Sequence, residues 1–81
     1  MPIVFAEAGF RFFFYSNEGD PLEPVHIHVR RERSLAKFWL YPEPSLANSY
    51  GFSARELNNI LRIINNRRAE IEEAWNEHFG I

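Results

Sequence analysis

No cysteine occurs in this sequence. That excludes a disulfide framework, a thiolate zinc site and a cysteine nucleophile, and it fits a cytoplasmic protein without requiring one. Long apolar runs are missing as well. The longest stretches fall far short of the roughly 20 residues that cross a bilayer, so no membrane partner is expected. The opening Met1-Pro2-Ile3-Val4-Phe5 has neither a basic flank nor an extended apolar stretch and is not expected to serve as a secretion signal. Positive charge is not in surplus. Nine Lys and Arg stand against eleven Asp and Glu, a net charge of −2, so no global field draws in nucleic acid. The charges are unevenly placed, however. Arg30, Arg31, Arg33 and Lys37 lie close together, and Glu70, Glu72, Glu73 and Glu77 gather near the end. A local basic patch can bind phosphate even on an acidic protein.

What the chain has in abundance is aromatic rings: eight Phe, three Tyr and two Trp among 81 residues. That length sets one domain, residues 1–81, with a thin core. A chain of this size buries about 60–65% of the surface its unfolded form exposes, and large rings offset the deficit. No repeat or low-complexity segment interrupts the chain. Residues 3–6 read as a short strand and Gly9 punctuates the chain after it. Residues 10–15 are aromatic and β-prone, a second strand. The Ser, Asn, Gly, Asp and Pro content of 16–24 makes a loop. Residues 25–30 alternate Val, His, Ile, His, Val, Arg, a period of two and hence a strand. Arg31-Glu32-Arg33 turns the chain into a fourth strand at 34–40, which Pro42 and Pro44 end. Leu46 to Tyr50 reads as a short fifth strand or an ordered loop.

The C-terminal third carries a helix signal over 54–79. Ser53-Ala54-Arg55-Glu56 is a capping box, and Phe52 and Leu57 occupy the positions of a hydrophobic staple. Leu57, Ile60, Leu61, Ile64, Arg68, Ile71, Trp75 and Phe79 follow at three- and four-residue steps, and Gly80 suits the stop. The fold class expected is α+β, a small antiparallel sheet of three to five strands packed on one long amphipathic helix. Such a helix would run roughly 39 Å, whereas a six-residue strand covers only about 20 Å. The surplus apolar stripe must bend back or meet another chain, so a protein partner or a homodimer through the helix is expected. Arg62, Arg67 and Arg68 read as a solvated helix face.

Strand alternation divides the sheet residues. Val25, Ile27 and Val29 point one way, with Ala36, Phe38 and Leu40 on the pairing strand. His26, His28 and Arg30 point the other way, with Lys37 and Trp39, and less firmly Arg11 and Tyr15. This second face is expected to be cationic and aromatic. His26 and His28 stand about 6.5–7 Å apart along it. Imidazoles titrate near neutrality, so the pair suits acid–base cleavage of an RNA phosphodiester. One ring would take the 2′-hydroxyl proton and the other protonate the leaving oxygen, while Arg30 and Lys37 hold phosphate and Trp39 stacks a base. No cofactor is expected. His-x-His also begins a metal site, with Asp20, Glu23 or His78 as third ligand, but no spacing selects among them. An aromatic, Arg-rich face equally suits a protein interface. A plainer alternative stands beside all three: strand histidines that only fill surface, tryptophans that only pack, and arginines that only guard a sheet against aggregation.

Several segments together resemble a known bacterial family: Gly9-Phe-Arg-Phe-Phe-Phe-Tyr-Ser-Asn-Glu-Gly19, Glu23-Pro-Val-His-Ile-His-Val-Arg30, Ala36-Lys-Phe-Trp-Leu40, Gly51-Phe-Ser-Ala-Arg-Glu-Leu57 and Glu73-Ala-Trp-Asn-Glu-His-Phe-Gly80. In this order they are similar to the domain of unknown function 4160 family. Val25 stands where that pattern has a second Pro, and the hairpin turn Arg31-Glu32-Arg33 is not Gly-rich. The resemblance implies a small intracellular prokaryotic protein, and gene neighbourhood in the family has prompted a toxin–antitoxin interpretation. It supplies no catalytic residues. The function expected first is therefore a toxin–antitoxin-type module that binds RNA and cleaves it without metal through His26 and His28. A non-enzymatic, antitoxin-like or partner-binding module stands second, and a metal-binding domain third.

Overall fold

The structure, a computed structural model, describes residues 3–15 and 23–80. Five strands precede two helices: β1 (Ile3–Glu7), β2 (Phe10–Phe13), β3 (His26–Arg31), β4 (Ser34–Trp39), β5 (Ser45–Tyr50), α1 (Ala54–Asn66) and α2 (Arg68–Phe79). The strands form one antiparallel sheet in chain order, β1-β2-β3-β4-β5. Two-residue turns set the β1–β2 and β3–β4 pairings. Ala8 and Gly9, with φ of 55° and 84°, give the β1–β2 hairpin the left-handed pair that a tight two-residue turn requires. Between β3 and β4 the two-residue turn has one left-handed residue, its first, Glu32 at φ 54°. Residues 45–50, ambiguous in sequence, are a strand, paired along β4 with one irregularity between Lys37 and Phe38. The second strand stops at Phe13, earlier than the aromatic run implies.

Alternation sorts the side chains as period two demands. Phe10, Phe12, Phe14, Ile27, Val29, Ala36, Phe38 and Leu40 form one buried cluster with Ile60, Ile63, Ile64, Ile71 and Trp75 of the helices. Each large side chain removed from water contributes on the order of 1.5–3 kcal/mol. The capping box is fully formed. Glu56 N–H donates to Ser53 Oγ at 3.1 Å and Ser53 N–H donates to Glu56 Oε1 at 2.8 Å. Phe52 packs edge-on to Phe10, centroids 5.8 Å apart, which sets the angle of α1 on the sheet. Gly51 brings the chain there. At φ 84° a Cβ on it would lie 2.6 Å from Ser34 Oγ and 3.2 Å from Ser34 Cα, so only glycine lets the end of β5 approach the start of β4 this closely.

The single long helix expected from sequence is two. The regular helix is interrupted at Arg67, φ −116° and ψ 23°, which bends the chain between α1 and α2. The length argument supplies the reason. A straight helix would carry Ile71 and Trp75 past the sheet, whereas after the bend both are buried, Trp75 to 1% exposure, with its ring 5.3 Å from Phe14. Of the apolar stripe, Ile60, Ile64, Ile71 and Trp75 are buried within the chain, and Leu57, Leu61 and Phe79 are partly buried against the same core. Ile63, outside the stripe read from sequence, is buried as well.

Arg67 pins the bend. Its guanidinium lies 3.5 Å from the Phe5 ring centroid, donates to Glu7 at 3.0 Å, and grips Glu70 with two bonds of 2.9 and 2.8 Å. Desolvation pulls its pKa down, but the hydrogen bonds to Glu70 and Glu7 outweigh that and hold it above the ordinary value. Arg68 ties the same bend to the β4–β5 connection. It bonds Glu72 at 2.8 Å and lies 4.8 Å from the Tyr41 ring centroid. These two arginines are structural links and not the solvated face that their charge alone implies. Replacing Arg67 by Lys removes the planar fork that stacks and bonds at once. The expected result is a thermal midpoint lowered by a few degrees, read by circular dichroism, with no rescue from the retained charge. Among the described residues no helix is long and apolar enough to cross a membrane.

Candidate functional site

The face of the sheet turned away from α1 follows directly from strand register. Arg11 of β2 stands opposite Arg30 of β3, Arg30 opposite Leu35 of β4, and Leu35 opposite Tyr50 of β5. The next row runs Phe13, His28, Lys37, Asn48, and the third His26, Trp39, Ser45. His26, His28, Arg30, Lys37 and Trp39, the residues singled out in sequence, do share this face.

They do not share its exposure. His26 is 0% exposed and His28 only 7%, which corrects the expectation of two histidines on an open surface. Alternation gives a side chain its direction but says nothing of what lies above it. His26 Nδ1 is 2.8 Å from Pro24 O, so this nitrogen carries the proton and donates it to the carbonyl. The ring is enclosed by Trp39 at 5.7 Å, Trp75 at 5.1 Å and His28 at 5.1 Å between centroids. Trp75 touches Phe14 of the core and His26 of the other face, so α2 covers this end of the sheet. His28 stacks on Phe13 at 5.6 Å and meets Tyr15 at 4.5 Å. Phe13, buried but outside the core cluster, completes a second aromatic nucleus on this face. A general acid or base must come within hydrogen-bond reach of the proton it moves; His26, fully enclosed, presents no ring surface for that contact and His28 presents little.

For a metal, the sequence offered Glu23, His78 and Asp20 beside the pair. Glu23 accepts from Lys37 Nζ at 3.3 Å, His78 stacks near Phe14 at 6.1 Å, and Asp20 lies outside the described residues. Among those residues no group of three His, Asp or Glu is arranged to hold an ion.

The basic residues divide. Arg31 turns toward α1, pairs with Glu56 and covers the Phe10 ring. Lys37 is engaged by Glu23 and lies 4.4 Å from the Trp39 centroid. Arg30 and Arg11 are exposed, directly opposite each other, and in no ion pair among the described residues. Cross-strand partners have Cβ atoms about 4.5–5.5 Å apart, and like charges there oppose folding. Such a pair is a natural seat for an anion. The row ends on Tyr50, 74% exposed, about 10 Å from Arg30 across two strand spacings. Sequence reasoning gave Arg11 only loose membership and missed Tyr50, because both places depend on which strands are neighbours.

A family model described as "Domain of unknown function (DUF4160)" matches residues 9–76. No curated protein and no solved structure matches the chain.

Proposed function

This chain belongs to the DUF4160 family, a domain of unknown function, and from the geometry of its sheet we propose that it is a non-enzymatic module that binds single-stranded RNA along the Arg11–Arg30–Tyr50 row. The observation that carries this reading is the exposed pair of arginines facing each other across β2 and β3. A phosphate between them relieves their repulsion and accepts charge-assisted hydrogen bonds from both. Tyr50 offers a ring on which a base can stack, a contact worth about 1–3 kcal/mol, and the half-buried Trp39 with its lysine extends the surface. The burial of His26 and His28 favours binding over cleavage, so the toxin–antitoxin-type role implied by the resemblance is carried in this reading by occupancy of RNA.

Anisotropy titration of a labelled single-stranded RNA tests it. Arg11→Gln/Arg30→Gln is expected to weaken binding at least ten-fold. It should also flatten the slope of log K against log salt by about 0.7, the contribution of the one phosphate seated between them on a single strand. The same variant should be as stable as the wild type or slightly more so, since a repulsion on the order of 0.2–1 kcal/mol is removed. The RNA should emerge intact. Wild-type protein that binds no RNA, or a double variant that binds with unchanged affinity and salt slope, would overturn the reading.

A further inference from the structure

The glutamates near the chain's end are divided by the fold. Glu70 is held by Arg67 and Glu72 by Arg68. Glu73 and Glu77 enter no ion pair among the described residues. They rim a groove of about 530 Å³ whose floor is Ile3, Val4, Phe14 and Ala74, a volume in the usual range of roughly 300–1,000 Å³ for binding clefts. Two further facts mark it. Ile3, one of these apolar residues, stands 54% exposed. Glu77 also lies in the last turn of α2, where the helix dipole disfavours negative charge.

We propose that this groove receives a basic amphipathic helix of a partner protein, apolar side chains on the floor and Lys or Arg against Glu73 and Glu77. Charge complementarity selects a cation and the apolar floor selects an amphipathic one, since a bare polyamine would leave Ile3 and Val4 in water. The surface of α2 suits a helix. Ala69, Glu73 and Glu77 follow at four-residue steps along one ridge, and the small Ala69 and Ala74 let a second axis come to the usual distance of about 8–10 Å. The partner's cations would repeat at four residues to match. This site lies apart from the Arg11–Arg30 row and does not depend on the RNA reading.

The test is calorimetric titration of the full chain with a synthetic helix bearing Leu on one face and Lys at four-residue steps beside it. Binding is expected in the wild type, weakened roughly ten-fold by Glu73→Gln/Glu77→Gln. It should be abolished by Ala69→Arg, a substitution at an exposed position that fills and neutralises the groove without disturbing the core. Glu32→Gln/Glu43→Gln, at exposed positions elsewhere, should leave affinity unchanged. No binding by the wild type overturns the proposal. Equal loss in the Glu32/Glu43 variant reduces it to general acidity and overturns it too. So does equal affinity for spermidine, and so does a wild-type dimer that Ala69→Arg dissociates, which would assign the groove to a second copy of this chain.

Discussion

Trp75→Ala is expected to remove a large share of the protein's stability. The ring is 1% exposed and lies 5.3 Å from Phe14, 5.1 Å from His26 and 4.3 Å from Phe79. Truncating a buried tryptophan costs about 3–5 kcal/mol, the lost transfer free energy plus the cavity left behind. A small domain has only about 5–15 kcal/mol in total. In a domain of this size the thermal midpoint should fall by on the order of 20 °C, and the urea midpoint should fall with it. Trp75→Phe, which keeps part of the ring, should cost markedly less. The consequence reaches both faces of the sheet, because Trp75 is the side chain through which α2 holds the core and the second aromatic nucleus together. A Trp75→Ala protein within about 1 kcal/mol of wild type, a change usual for surface substitutions, would mean that α2 does not dock where this fold places it.

The second large effect falls on the histidines. His26→Ala empties a site with no solvent access and leaves Pro24 O without its 2.8 Å donor. Cavity and lost bond together are expected to cost about 2–4 kcal/mol. His28→Ala opens the contact with Phe13 and Tyr15. The two rings touch, so the double variant should depart from the sum of the singles. His26→Phe preserves ring volume while deleting the hydrogen bond and should fall between wild type and His26→Ala. Urea denaturation measures all four proteins. RNA affinity per folded molecule should be unchanged in each of them. A His26→Ala protein with wild-type stability and a selective loss of RNA-directed activity would return the histidine to a chemical role.

The contrast between these histidines and the two arginines shows where sequence stops informing. Period-two alternation placed His26, His28 and Arg30 on one side of β3, and the register agrees. It could not tell that two of the three are buried and one is exposed, since burial depends on what packs above them: Trp75, far along the chain, against His26, and Phe13 and Tyr15 against His28. Arg11 is a similar case. Nothing local pairs it with Arg30; the β2–β3 register does. Arg67 reads in sequence as a solvated charge, yet its partners Phe5 and Glu7 lie about sixty residues away.

What the sequence determined by itself was local. Strand alternation, the Ser53–Glu56 capping box, the Phe52 staple and the helical stripe each arise from neighbours within a few residues, and each formed as chemistry at short range requires. The antiparallel α+β class followed from them. The tertiary structure alone decided the bend at Arg67, the burial of the imidazoles, the juxtaposition of Arg11 with Arg30 and the groove beside Glu73 and Glu77. The physical reason is common to all four. Direction along a strand or helix is fixed by backbone geometry, but exposure and proximity are fixed by which other segments pair with or pack against that surface.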